Sequence, residues 1–105
     1  MYNKIALKEL KKLLIKHFPD YIEKVLLFGS QVNGTARKYS DYDILLILKK
    51  PYDWKFENNI YDTTFDIDLE YNIITDIKMI SIEELLTLRG RQPFIQNAIK
   101  EGIEL

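Results

Sequence analysis

The sequence predicts an α/β (α+β) fold, a small mixed sheet flanked by helices. Two short apolar runs, VLLF at residues 25–28 and ILLIL at residues 44–48, are continuous rather than alternating, which is typical of strands covered on both faces. Residues 73–80 alternate apolar and polar side chains, as a half-buried strand does. Helical patterns lie around these segments, so we expect helices packed on a sheet that holds residues 24–29, 42–48 and 73–80.

An amphipathic helix is predicted over residues 3–18. Its apolar residues recur mostly at spacings of three and four, with lysines between them, and Pro19 and Asp20 end the pattern. The apolar positions are Ile5, Leu7, Leu10, Leu13, Leu14 and Phe18.

The segment from Asp53 to Tyr71 has two interpretations. Phe56, Ile60 and Ile67 fall at helical spacing, and Asp53 is a suitable N-cap. The end of the segment, FDIDLEY, alternates strictly, as a strand would. We favour the helix, because the first part of the segment has no period of two.

Two further helices are predicted near the C-terminal end. Ser81, followed three residues later by Glu84, has the form of a capping box at a helix start. The last helix is expected from Pro93 to Glu101, and Gly102 ends it.

Composition restricts the function classes. The 105 residues match the common size of one domain, so we expect residues 1–105 to form a single domain. With 15 basic and 16 acidic residues the net charge is −1, which gives no general attraction to nucleic acid. The absence of cysteine excludes disulfides and thiolate zinc sites. No segment approaches the ~20 apolar residues that span a bilayer, so we expect a cytoplasmic protein without a membrane partner.

Two carboxylates at the start of the second buried run need an explanation, because Asp is disfavoured in strands and costly to bury alone. Asp41 and Asp43 lie two residues apart, so both side chains would point to one face of the sheet, roughly 6–7 Å apart. Carboxylates are ligands that Mg²⁺ prefers, and substrate phosphates usually complete its coordination. The pair therefore indicates a site for one or two Mg²⁺ ions.

Gly29 and Ser30 end the first buried run and are expected beside these carboxylates. About ten residues separate Ser30 from Asp41, so the second strand should start where the first ends, without a parallel crossover. Gly29 lets the backbone approach a ligand closely, and Ser30 offers a hydroxyl and an N–H to a phosphate. Each motif alone is more often a turn glycine or a solvated strand end. The combination of Gly-Ser with Asp-x-Asp at this spacing is much more specific for a functional site.

The stretch GSQVNGTARKYSDYDILLIL resembles the signature of the DNA polymerase β nucleotidyltransferase superfamily, and most closely its minimal nucleotidyltransferases. The matching positions are Gly29, Ser30, Val32, Gly34, Ser40, Asp41 and Asp43. The resemblance is close over residues 23–48 and elsewhere rests on element order and length. It implies a polymerase β-like fold and transfer of a nucleoside monophosphate, AMP from ATP above all, to a hydroxyl acceptor with Mg²⁺ or Mn²⁺ as cofactor.

The resemblance also implies roles for individual residues. Asp41 and Asp43 would be catalytic metal ligands. The nucleotide would be bound by Gly29, Ser30, Gly34, Arg37 and Ser40. Family members often carry Arg before the second Gly, whereas this chain has Asn33 there. Arg37 or Lys38 is then the available positive charge for the triphosphate.

Active members of the superfamily use a third carboxylate on a later strand, which holds one metal and can accept the proton of the attacking hydroxyl. We assign this role to Asp76, on the face of the predicted strand opposite Ile77 and Met79. Asp68, with Asp66 behind it, is the alternative if FDIDLEY is the strand. If no third carboxylate exists, the protein would bind nucleotide without turning it over.

Larger members of the superfamily hold the acceptor with a second domain, for which 105 residues leave no room. Minimal members are often paired with a small helical HEPN-type protein in toxin-antitoxin systems, and some transfer AMP to a tyrosine of that partner. The resemblance therefore implies a HEPN-type protein as acceptor. The alternative is a catalytically silent antitoxin or binding module that acts by covering its partner. The oligomeric state is not predicted.

Overall fold

The computed structural model describes residues 2–105, and its helices and strands alternate along most of the chain. The helices are α1 (Lys4–His17), α2 (Ser30–Asn33), α3 (Trp54–Tyr71), α4 (Ile82–Leu85) and α5 (Pro93–Glu101), with a 3₁₀ turn at Leu88–Arg91. The strands are β1 (Ile22–Phe28), β2 (Tyr42–Leu48), β3 (Thr75–Ser81) and β4 (Ile103–Glu104). The predicted α/β class is confirmed.

The four strands form one mixed sheet in the order β3-β2-β1-β4. β2 pairs antiparallel with β1 and parallel with β3. Only α2 and a short loop connect β1 to β2, so Phe28 at the end of β1 lies opposite Asp43 near the start of β2. The end of the first strand and the start of the second are therefore neighbours, as predicted.

Helix α3 occupies the segment that had two interpretations. The Asp53 side chain accepts a hydrogen bond from the backbone N–H of Phe56 at 2.9 Å, which is an N-cap. The helix runs on to Tyr71, so the strand alternative for FDIDLEY is wrong. Burial explains why: Ile67 is 3% exposed, whereas Phe65 is 57% exposed, so the alternating residues do not share a buried face.

The C-terminal part differs from the prediction at two points, the start of β3 and the end of the chain. β3 begins at Thr75 rather than residue 73, because Asn72 caps the end of α3 in a left-handed conformation and the next two residues complete the connection. The capping box of Ser81 and Glu84 is confirmed, as is the last helix. After Gly102 the chain adds β4, which was not predicted and pairs with β1.

The sheet separates two hydrophobic clusters. The face toward α1 and α3, here called the α1/α3 face, carries the larger one, with buried side chains Leu7, Leu10, Leu14, Ile22, Val25, Leu27, Tyr42, Ile44, Leu46, Leu48, Phe56, Ile60, Ile67, Ile77 and Met79. The opposite face, the α5 face, carries Leu26, Phe28, Leu45, Ile47, Ile80, Ile95 and Ala98. Within residues 2–105 no helix is long and apolar enough to cross a membrane.

Candidate functional site

Gly29 joins the end of β1 to α2 and lies against Asp43. Its φ of 75° and ψ of −150° belong to a region that L side chains rarely adopt. A Cβ at this position would overlap Oδ2 of Asp43. The Gly29 carbonyl accepts hydrogen bonds from the N–H groups of Val32 and Asn33, at 3.0 and 3.1 Å, which form the single turn of α2. Both the backbone conformation and the space therefore require glycine.

Three carboxylates meet at this end of the sheet. Asp43 on β2 is in register with Asp76 on β3, so both side chains leave the same face of the sheet. Asp41 is exposed and precedes β2, two residues before Asp43. Leu45, the next residue of β2 on that face, belongs to the cluster under α5. The carboxylates therefore lie on the α5 face, next to the apolar part that α5 covers.

The electrostatics of this group favour a cation. Burial raises the pKa of Asp43, and the negative charges of Asp76 and Asp41 raise it further, while the positive charge of Lys78 opposes them. Asp43 thus carries its charge at a cost in the free protein. Any cation bound between these side chains would lower that cost.

Lys78 is the residue of this site that sequence reasoning did not single out. Its Nζ lies 3.4 Å from Oδ1 and 3.5 Å from Oδ2 of Asp76, and 5.5 Å from the centroid of the Phe94 ring on α5. The alternation in IITDIKMI was the available signal, because it already placed Asp76 and Lys78 on one face of the strand.

The loop between α2 and β2 is shaped by hydrogen bonds of its own. Gly34 ends α2 with a φ of 83°. The Ser40 hydroxyl accepts a hydrogen bond from the N–H of Arg37 at 2.7 Å, and the Ser40 carbonyl accepts one from the Gln31 side chain at 3.1 Å. Ser30, the first residue of α2, is half-buried, and its carbonyl accepts a bond from the N–H of Ala36. The loop is therefore held in place beside the carboxylates.

A cavity of about 310 Å³ lies behind this loop. Its lining includes Arg37, Ser40 and Tyr42 but none of the three carboxylates. A second hollow of about 370 Å³ follows the outer side of β3, with Asp76 and Asp68 in its wall. Arg37 and Ser40 are thus brought together, while the carboxylates form a separate group next to them.

Asp68 and Asp66, the alternative third carboxylates, lie on α3. Oδ1 of Asp68 accepts hydrogen bonds from the Thr75 hydroxyl at 2.8 Å and from the Thr75 N–H at 3.2 Å. Burial raises the pKa of Asp68, whereas these hydrogen bonds lower it. Asp68 therefore fastens the start of β3 to the end of α3, and Asp66 is exposed on the helix surface.

Comparison with known sequences gives one family and a set of relatives. The family model described as Polymerase beta, Nucleotidyltransferase matches residues 8–105. A relative from Methanocaldococcus jannaschii, provisionally named a protein adenylyltransferase, is 28% identical over 102 residues, which cover 97% of this chain and 96% of the relative.

Solved structures share the fold at low identity. Spectinomycin adenyltransferase from Enterococcus faecialis, solved with ATP and spectinomycin, has a TM-score of 0.68 at 20% identity, covering 81% of this chain and 36% of that chain. A chain from the complex of tri-AMPylated Shewanella oneidensis HEPN toxin with MNT antitoxin has a TM-score of 0.56 at 18% identity, covering 96% of this chain and 69% of that chain. The predicted polymerase β-like fold is therefore confirmed.

Proposed function

This chain belongs to the polymerase β nucleotidyltransferase family, and we propose that it transfers AMP from ATP to a hydroxyl group of a protein acceptor. The observation that carries the proposal is the position of Asp43, which lies against Gly29 on one side and beside Asp76 on the other. A phosphate-binding backbone and paired carboxylates then share one end of the sheet.

The nature of the acceptor is proposed from the relatives. The Methanocaldococcus jannaschii relative, which this chain matches over nearly its whole length, is named for transfer to protein. A protein of the same fold occurs in a complex whose HEPN toxin is AMPylated. We therefore propose a HEPN-type protein as partner and acceptor. We further propose that residues 1–105 act as one nucleotidyltransferase domain in the cytoplasm, where a chain without cysteine would fit.

The nucleotide would lie over the end of β1. Gly29 presents backbone without a side chain, and Ser30 adds a hydroxyl and an N–H for a phosphate. Gly34 and Ser40 would act through the shape of the loop, since the Ser40 hydroxyl is bonded to the N–H of Arg37. The exposed Arg37 side chain then supplies the positive charge that Asn33 lacks.

The residues fit a divalent cation in kind and in backbone position. Asp41 and Asp43 provide carboxylate oxygens on one face. Burial above all, and then the negative charges of Asp76 and Asp41, raise the pKa of Asp43. Among the side chains of residues 2–105, no three His, Asp or Glu groups converge as a complete metal site, and Asp76 is engaged by Lys78. When bound, Mg²⁺ or Mn²⁺ would stabilise the negative charge that develops on the reacting phosphate oxygens.

The proposed reaction is an in-line displacement. The acceptor oxygen attacks the α-phosphorus of ATP, the bond from that phosphorus to the bridging oxygen breaks, and pyrophosphate leaves with the electron pair. Asp76, half-buried beside Asp43, accepts the proton of the acceptor hydroxyl as general base. The acceptor keeps AMP as a phosphodiester.

A catalytically silent antitoxin is the second candidate. The pairing of Asp76 with Lys78 favours it, because the proposed base is then occupied in the free protein. Such a protein would bind nucleotide and partner and leave the partner unmodified.

Mass measurement of the partner tests the proposal. We would incubate the chain with a HEPN-type protein from the same organism, ATP and Mg²⁺, and weigh the partner intact. The expected result is a mass increase of one or more AMP units that is lost with Asp43→Asn. Asp66→Asn, which removes an exposed carboxylate on α3, is the matched control and should leave the increase unchanged. A stable complex with no added mass would reject transfer and favour the silent antitoxin.

A further inference from the structure

The ion pair of Lys78 with Asp76 lies inside the proposed metal site. Both residues are on β3, two positions apart, and therefore on the same face as Asp43. The two Nζ to oxygen distances, 3.4 and 3.5 Å, are nearly equal and long for a charged hydrogen bond, so the ammonium group sits loosely across both oxygens of Asp76. A positive charge is thus already present beside the carboxylates.

We propose that Lys78 is an internal counter-ion that occupies Asp76 until nucleotide and its divalent metal ion arrive, and then gives it up. The inference rests on the proposed function, because it assumes that Asp41, Asp43 and Asp76 hold a metal. It explains why Asp76 has a cationic partner of its own in the free protein. Lys78 acts here as a positioning residue through Asp76.

The ion pair of Lys78 and Asp76 can be broken at a small cost in free energy, because both side chains are partly exposed. The side chains of Lys78 and Asp76 are 38% and 45% exposed, and ion pairs of that kind contribute little to stability. An ion with two charges at the same distance is attracted more strongly than the ammonium group. Asp76 can therefore change partner without a change in the fold.

The Phe94 ring can hold the Lys78 side chain after it has separated from Asp76. Its ring centroid is 5.5 Å from Nζ of Lys78, within the range of a cation–π contact, and α5 holds the ring at the border of the apolar cluster. Lys78 can keep this contact when Asp76 exchanges it for a metal ion. The arrangement therefore provides for both states of the site.

Binding of Mn²⁺ without nucleotide tests the inference, with the free Mn²⁺ signal in electron paramagnetic resonance as the readout. Lys78→Met removes the charge and keeps an apolar side chain, and we expect Mn²⁺ to bind about fivefold more tightly than to wild type. Lys78→Arg keeps the charge and should stay within about twofold of wild type. Lys24→Met removes the other strand lysine that forms an ion pair, with Glu104 at 3.7 Å, and should change nothing.

The variants distinguish a failure of the inference about Lys78 from a failure of the proposed metal site. Equal Mn²⁺ affinity in wild type and Lys78→Met, combined with loss of binding in Asp43→Asn, would overturn the role of Lys78 and leave the metal site standing. Mn²⁺ binding that is unaffected by Asp43→Asn would reject the metal site itself. Weaker binding of ATP in EDTA by Lys78→Met, with unchanged Mn²⁺ affinity, would make Lys78 a phosphate ligand and overturn the inference as well. Circular dichroism establishes that each variant is folded.

Discussion

The two faces of the sheet are covered to different extents. On the α1/α3 face, fifteen buried residues form one cluster that follows β2 from Tyr42 to Leu48. On the α5 face the cluster has seven buried residues and stops at Leu45, so Asp43 lies beyond it. The nine-residue helix α5 is too short to cover the whole face.

The charged residues of the site occupy the part that α5 leaves open. Asp43, Asp76 and Lys78 are all only partly buried there, which limits the desolvation cost of their charges. On the α1/α3 face the neighbouring strand residues Ile44 and Ile77 are apolar and buried. The sheet therefore separates the residues that stabilise the fold from those that we propose for catalysis.

Truncation of one buried side chain on each face tests whether the α1/α3 face contributes more to stability than the α5 face. It has the largest expected effect on the free energy of unfolding. Leu14 and Ile95 are both fully buried, on the α1/α3 and α5 faces respectively. We expect Leu14→Ala to lower the free energy of unfolding by about 3–5 kcal/mol and Ile95→Ala by about 2–3 kcal/mol, because the smaller cluster can collapse more readily around the cavity. Urea denaturation measures both. A larger loss for Ile95→Ala would show that the α5 face is the main core.

Replacement of Gly29 should have the next largest effect. Gly29→Ala forces a side chain into a left-handed conformation and against Asp43, so we expect a loss of about 2–3 kcal/mol in the free energy of unfolding, measured by urea denaturation. Gly34→Ala is the matched control, because Gly34 also has a positive φ but open space around it, and it should cost about 1 kcal/mol. Equal losses for the two variants would mean that the contact with Asp43 contributes nothing.

The smallest effect is a gain in stability from Asp43→Asn in EDTA. The pKa of Asp43 in the folded protein is raised above its usual value of 3.8. As the pH rises, the unfolded chain therefore releases this proton before the folded protein does. The folded state loses stability over the pH range between the two pKa values. The variant lacks this penalty. We expect it to be more stable by roughly 0.5–1 kcal/mol at about pH 7, a modest gain because Asp43 is partly exposed, and no more stable at about pH 3.

Thermal denaturation at the two pH values measures this gain. Asp66→Asn, on the exposed surface of α3, serves as control and should show no gain at about pH 7. If Asp43→Asn is less stable than wild type at neutral pH, the negative charge of Asp43 must be stabilised in the free protein, against the effect of burial and of its acidic neighbours.

Most of the fold could be predicted because its strong elements have clear local patterns. The runs before Gly29 and after Asp43 are buried on both faces and therefore apolar without alternation. β4 could not be predicted, because its two exposed residues have no pattern and are placed only by pairing with β1. FDIDLEY alternates by coincidence, since its burial follows the helical period of α3.

The site could be predicted only where its residues are close in sequence. The approach of Gly29 to Asp43 follows from the short connection between β1 and β2. The position of Asp76 beside Asp43 depends on the parallel register of β2 and β3, which the sequence does not specify. The pairing of Lys78 with Asp76 was missed because an ion pair within one strand is only one of several partners open to an exposed lysine. The roles assigned to these residues stay predictions.

Hydrogen bonds of side chains fix both ends of β3, and no spare residue lies between them and the strand. Asp68 bonds Thr75 at the first residue, and Ser81, the last residue of the strand, is also the N-cap of α4. One residue inserted or deleted between these anchors would turn Asp76 to the opposite face or break one of the two connections. Natural variation in chain length should therefore avoid this stretch and accumulate in the turn after β2, so that relatives of different length would keep the interval from Asp76 to the capping serine constant.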